Sequence, residues 1–155
     1  LVLRVKDLER SRKFFTEVLG FPQVGQNERG MLFFSTDVAD NHHMLAIRQA
    51  KEGSGMPEPE RVGMEHVSFE LGGFAELQDA YRRFKEHGVV IHHTVYHGVA
   101  KSIYFLDPDG NMLEVYCNVP PEEYRKSAPN PYFRYGSIED ELEGKAPQRP
   151  GTVAP

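Results

Sequence analysis

Apolar residues change period along this chain, and each change marks an element. Leu1-Val2-Leu3-Arg4-Val5 is an apolar run with one charge, which suits a strand. After Asp7, the residues Leu8, Ser11, Phe14, Phe15, Val18 and Leu19 fall at helical spacing on one face. Asp7 can accept from the free amides of a first turn and Gly20 suits a helix exit, so a helix is predicted between them. Strands are predicted over Phe21–Gln26 and Met31–Ser35 around the polar turn Asn27-Glu28-Arg29-Gly30, and a fourth over His43–Gln49. Thr36–Asn41 is polar and reads as loop. Lys51–Arg61, with its glycines, prolines and charges, reads as a linker. The order then repeats. A strand is predicted over Gly63–Leu71 and a helix over Phe74–Glu86, with Phe74, Leu77, Ala80, Tyr81 and Phe84 on one face. A strand follows over Val89–His93, and Ser102–Tyr116 closes the series as strand, turn and strand. Its turn, Asp107-Pro108-Asp109-Gly110, joins a fixed φ at Pro108 to a residue that tolerates positive φ at Gly110.

The sequence therefore predicts an α+β fold of two βαβββ modules joined by a linker. The halves align on each other. Leu3-Arg4-Val5-Lys6-Asp7-Leu8 falls on Phe69-Glu70-Leu71-Gly72-Gly73-Phe74, and His43-Met44-Leu45-Ala46-Ile47 on Asn111-Met112-Leu113-Glu114-Val115. Two copies of one module imply a pseudo-twofold axis. Residues 1–117 read as one domain, with module one at 1–50 and module two at 63–117. Residues 118–155 read as an extension. There Tyr132, Phe133 and Tyr135 form an aromatic cluster ahead of an acidic helix at Ser137–Glu143, and the chain from Gly144 is expected to be flexible. Packing outside the sheet, a lid and a dimer contact are its open roles.

The chemistry concentrates at Glu114. It lies mid-strand beside Met112, Leu113 and Val115, where a carboxylate seldom sits without a partner. An edge strand with Glu114 facing water is the plainer alternative. The alignment makes Ala46 the counterpart of Glu114, and the residue immediately before Leu1 the counterpart of His66. A single strand histidine is more often a hydrogen-bonded core residue than a ligand. A carboxylate at a symmetry-related position shifts His66 toward a metal site.

Bulk properties remove whole classes. The chain carries a net charge of −5 and no basic block, which argues against nucleic acid. No apolar run approaches membrane-spanning length. Cys117 is the single cysteine, so there is no internal disulfide, and a reducing cytoplasm is the expected location.

The helix signal Val5-Lys6-Asp7-Leu8-Glu9-Arg10-Ser11-Arg12-Lys13-Phe14-Phe15, the stretch Gly63-Met64-Glu65-His66-Val67-Ser68-Phe69, and Tyr104-Phe105-Leu106-Asp107-Pro108-Asp109-Gly110-Asn111-Met112-Leu113-Glu114 resemble the vicinal oxygen chelate superfamily. That family includes glyoxalase I, bleomycin-resistance proteins, fosfomycin-modifying transferases and type I extradiol dioxygenases. The resemblance implies a curved-sheet cup around a metal held by His from the first strand, His from the fifth and Glu from the eighth. His66 and Glu114 match the last two, and the first would fall immediately before Leu1.

Two histidines and a carboxylate with open neighbouring positions suit non-haem Fe(II), with Mn(II) as the alternative. No second carboxylate stands at Ala46, where glyoxalase I resemblance leads one to expect a base. Tyr104 matches the Tyr that bonds the catecholate oxygen in extradiol dioxygenases; packing the core is its plainer role. His43 matches their acid–base histidine, although strict strand alternation favours His42, which stays in reserve. His97, in His97-Gly98-Val99, matches a stretch lining the substrate pocket. His92 and His93 are expected on an exposed strand face. The resemblance thus implies extradiol cleavage of a catechol-type aromatic with O2 by a homodimer. A glyoxalase- or fosfomycin-transferase-like metalloenzyme without O2, and a non-enzymatic binding protein of the bleomycin-resistance kind, are the alternatives.

Overall fold

The computed structural model describes residues 1–58, 62–127 and 136–145. The first module contains β1 (Val2–Val5), α1 (Leu8–Lys13), β2 (Gln23–Gln26), β3 (Leu32–Phe34) and β4 (Leu45–Gln49). The second contains β5 (Val67–Glu70), α2 (Phe74–Glu86), β6 (Ile91–Tyr96), β7 (Ala100–Leu106) and β8 (Met112–Asn118). Two short helices follow, α3 (Pro121–Ser127) and α4 (Glu139–Leu142). The chain divides into two compact units: Leu1–Val62 together with the loop Asp107–Asn111, and Gly63–Leu106 together with the chain from Met112 onward.

Each module builds the same four-stranded mixed sheet, in the orders β1-β4-β3-β2 and β5-β8-β7-β6. The first and last strands of each module run parallel. In register, Val2 pairs with Ala46 where Ser68 pairs with Glu114. The duplication read from the sequence therefore holds at the level of individual strand partners.

In the first unit, Asp7 caps α1 through its carboxylate, which accepts from the Arg10 amide at 2.9 Å. The predicted single helix ends early as an α-helix. Phe14–Val18 form a π-helical turn, closed by Leu19 N donating to Phe14 O at 3.1 Å. The wider turn lets the adjacent Phe14 and Phe15 both reach the core, where Phe15 meets Phe34 at 5.8 Å between ring centroids. Leu3, Val5, Leu45 and Ile47 complete this core from β1 and β4.

Several strand limits differ from the pattern reading. β4 begins at Leu45, so His43 lies in the turn before it. β5 begins at Val67, leaving His66 just outside the ladder. β6 runs on to Tyr96 because it pairs with β7 as far as Lys101. The acidic helix shrinks to Glu139–Leu142, and a further short helix, α3, forms at Pro121–Ser127. Tyr132, Phe133 and Tyr135, and the chain from residue 146, lie outside the described residues.

In the second unit, α2 buries Leu77, Ala80, Tyr81 and Phe84 and packs on β7 and β8. Phe84 meets Phe105 of β7 at 4.4 Å between centroids. α4 is pinned to this helix. Tyr81 Oη donates to Glu139 Oε1 at 2.8 Å and reaches Glu143 Oε1 at 3.4 Å. Burial, and then these two carboxylates, push the phenol pKa well above its usual value.

Phe105 adjoins Tyr104 on β7 but faces the helix. Phe105→Ala is expected to lower unfolding free energy by about 3–5 kcal/mol in urea titration, since a fully buried ring leaves a cavity. Tyr81→Phe removes only a hydroxyl and is expected to cost about 0.5–1.5 kcal/mol in the same measurement.

Candidate functional site

The hairpin of β7 and β8 sets the geometry. In its loop, Asp107 Oδ1 accepts from the amides of Asp109 at 2.9 Å and Asn111 at 2.8 Å, and Asp107 Oδ2 accepts from Asn111 Nδ2 at 2.8 Å. Burial nonetheless raises the Asp107 pKa. Gly110 takes φ +82°, a conformation that L side chains rarely adopt. The loop locks the register from Leu106 opposite Met112 to Ala100 opposite Asn118. A slip of one residue would turn every side chain of β8 to the other face.

That register lays one row across the sheet. His93 of β6 pairs with Tyr104 of β7, Tyr104 with Glu114 of β8, and Glu114 with Ser68 of β5. Partners in register share a face, so four chemically active side chains line up on one side of the second sheet. Leu113, Val115 and Cys117, at alternate positions, are buried.

Glu114 is 6% exposed. Ser68 Oγ donates to its Oε2, and His66 Nε2 lies 3.3 Å from the same oxygen. Burial pushes the carboxyl pKa up. The Ser102, Ser68 and Tyr104 hydroxyls and the His66 imidazole outweigh that and hold it below the ordinary value, so the group stays ionised at neutral pH. The Ser102 Oγ is itself buried, with no hydrogen-bond partner among the described residues.

Tyr104 is enclosed by imidazoles. His93 stacks on its ring at 4.3 Å with planes 10° apart, and His66 meets it edge-on at 5.2 Å. Tyr104 Oη and His97 Nε2 are 3.2 Å apart. A cavity of about 310 Å³ opens beside this row, lined by Ser68, His97, Val99, Ala100, Glu114 and Tyr116.

Four of the residues singled out in the sequence, His66, Glu114, Tyr104 and His97, therefore meet within one unit. His43 belongs to the other unit. It is exposed, its Nδ1 lies 2.7 Å from His42 Nδ1, and its ring meets Phe33 edge-on at 6.2 Å. Because it precedes β4, strand alternation does not govern which way it points.

Two participants escaped the sequence reading. Ser68 is an ordinary strand residue until pairing sets it opposite Glu114. His93 was expected on an exposed face but is half-buried against Tyr104. The cause is a register shift between Ile91 and His93, with His92 as the extra residue. Such a bulge re-aims side chains. No pattern of residue types in β6 announces it.

Among the described residues, no three His, Cys, Asp or Glu side chains cluster to hold a metal ion. His66 and Glu114 nonetheless make a consistent pair of donors. Two ligands about 2.1 Å from one ion, at angles between octahedral and tetrahedral, stand roughly 3.0–3.4 Å apart, and these atoms are 3.3 Å apart. One imidazole nitrogen and one ionised carboxylate also suit a first-row divalent metal.

The family model described as the Glyoxalase/Bleomycin resistance protein/Dioxygenase superfamily matches residues 1–115. Biphenyl-2,3-diol 1,2-dioxygenase 3 of Rhodococcus globerulus is 35% identical over 116 residues, covering 74% of this chain and 59% of the relative. Catechol-2,3-dioxygenase of Bacillus subtilis is 30% identical over 131 residues, covering 84% of this chain and 44% of the relative. The chain thus spans about half the length of these curated relatives. A solved glyoxalase/bleomycin resistance protein/dioxygenase domain from Frankia shares the fold, with a TM-score of 0.66 at 20% identity over 77% of this chain and 94% of that one. From its duplicated sheets and this match over residues 1–115, the chain belongs to the glyoxalase/bleomycin resistance protein/dioxygenase superfamily.

Proposed function

We propose that this chain is an extradiol-type dioxygenase domain that cleaves a catechol-type aromatic with O2. One observation carries the reading. A phenol, Tyr104, sits opposite an ionised carboxylate, Glu114, which lies 3.3 Å from an imidazole and lines a cavity flanked by Val99 and Ala100. Relatives named for biphenyl-diol and catechol cleavage, at 30–35% identity, point the same way.

In this reading His66 and Glu114 are two of three ligands to Fe(II), with Mn(II) the alternative. The family resemblance calls for a third ligand, a histidine from a first strand. Such an ion supplies redox activation of O2 beside a chelated diol. The chain's own residues do the rest. Ser68 fixes Glu114 Oε2, so the carboxylate holds one orientation. Tyr104 Oη donates to a catecholate oxygen and helps hold its charge, with His97 Nε2 oriented on that phenol. His43, as the family resemblance implies, is the acid–base group for the second hydroxyl proton. Val99 and Ala100 give the aromatic ring an apolar wall and limit water. The same reading takes the working form as a homodimer in the cytoplasm. No helix among the described residues is long and apolar enough to cross a membrane.

Full-length protein loaded anaerobically with Fe(II), then given a panel of catechols and air, is expected to form a yellow ring-fission product. Metal bound without any such product would count against the dioxygenase reading. Turnover of an epoxide or hemithioacetal with a thiol under nitrogen would replace it with the transferase or lyase alternative.

Metal binding is tested separately by calorimetry. Ser68→Ala is expected to weaken affinity by about 10–100-fold, as loss of a ligand-orienting hydrogen bond does. Glu114→Gln and His66→Ala should each cost at least as much, and the double variant little more than either, because one ion is lost only once. Unchanged metal content with a lowered melting temperature in each single variant would make both residues structural.

A further inference from the structure

The first unit carries a second cavity, of about 290 Å³, distinct in its residues from the one beside Glu114. Arg4 and Lys6 from the end of β1 supply its charge, Ala50 and the linker residues Met56 and Pro57 its apolar wall, and Asp109 one end. The linker lies against the hairpin loop, with Met56 Cε 3.8 Å from where a Cβ on Gly110 would stand.

Its electrostatics are one-sided. Asp109 has no charge to spare for the cavity cations, since Arg10 Nη2 binds its Oδ1 at 2.6 Å and its Oδ2 accepts from the Lys6 amide at 3.1 Å. Arg4 and Lys6 have no carboxylate partner among the described residues, although acidic side chains outnumber basic ones in the chain, 23 to 18. Arg4 also pairs in register with Arg48, which likewise has no carboxylate partner among the described residues. The residue opposite Arg4 on the sheet therefore supplies no counter-charge. The Lys6 backbone is fixed on both sides, by Asp109 at its amide and by Gln49 Nε2 at its carbonyl, so the base of its side chain is held beside the cavity.

We infer that this cavity binds a small organic carboxylate. The Arg4 guanidinium presents the planar fork that matches a carboxylate, and Lys6 adds a second charge. Ala50, Met56 and Pro57 cover an apolar body. The volume lies at the bottom of the range for small-molecule sites, which limits the body to about one ring. The site is independent of the metal reading, because it uses neither His66 nor Glu114.

Titration of the 15N-labelled protein with sodium benzoate, in low-salt buffer free of phosphate, tests this by NMR. Saturable shifts are expected at the amides of Lys6, Ser54, Gly55 and Asn111, with Ser68, Tyr104 and Glu114 unmoved. Benzyl alcohol, which lacks the charge, and inorganic phosphate, which lacks the apolar body, should each bind more weakly by about tenfold or more. Arg4→Met should weaken benzoate by a similar factor, with Arg4→Lys intermediate; Arg4 is exposed, so both variants should keep the wild-type circular dichroism. The inference is overturned by shifts centred on Glu114, by no saturable shift, by benzoate affinity unchanged in Arg4→Met, or by phosphate or benzyl alcohol binding as tightly as benzoate.

Discussion

A carboxylate buried in the middle of a strand is the constraint around which the second unit is arranged. Glu114 keeps its charge at 6% exposure, where an unpaired ion would cost several kcal/mol. The compensation comes from three other pieces of chain. β5 supplies the Ser68 hydroxyl, the segment before it the His66 imidazole, and β7 the Tyr104 and Ser102 hydroxyls. Ser68 and Tyr104 are aimed by strand pairing, so that part of the site is a consequence of register. The loop Asp107–Asn111 that fixes this register is closed by side-chain caps from a single aspartate.

That loop has a second role. Although it joins β7 to β8, it groups with the first unit, where Asp109 receives Arg10, Ser11 Oγ and the Lys6 amide. Within that unit it holds the start of α1. Asp109 is buried while Arg10 is 46% exposed, so removal of Arg10 would leave a buried carboxylate without its cation, whereas removal of Asp109 would leave a solvated guanidinium.

Duplication explains why so few positions carry chemistry. Ala46 occupies in the first sheet the register position that Glu114 occupies in the second. A methyl in one copy and a carboxylate in the other gives two similar scaffolds with unlike faces. The first sheet instead presents Arg4 opposite Arg48, and the second His93, Tyr104, Glu114 and Ser68 in a row.

Local pattern in the sequence was enough for the α+β class, the repeated βαβββ order, α2 over Phe74–Glu86 and the unusual placement of Glu114. Helical spacing, strand alternation and turn chemistry are properties of neighbouring residues, so they can be read along the chain. The alignment of the halves even anticipated that Ala46 and Glu114 are equivalent. Tertiary structure decided what local pattern leaves open. Ser68 met Glu114 only through parallel pairing of strands 46 residues apart in sequence. His93 met Tyr104 through a bulge at His92, and the helix read on to Leu19 turned π-helical from Phe14. Bulges, turns of altered pitch and register are set by hydrogen bonds to distant partners and by the fit of a whole core, and neither is written in the residues that carry them.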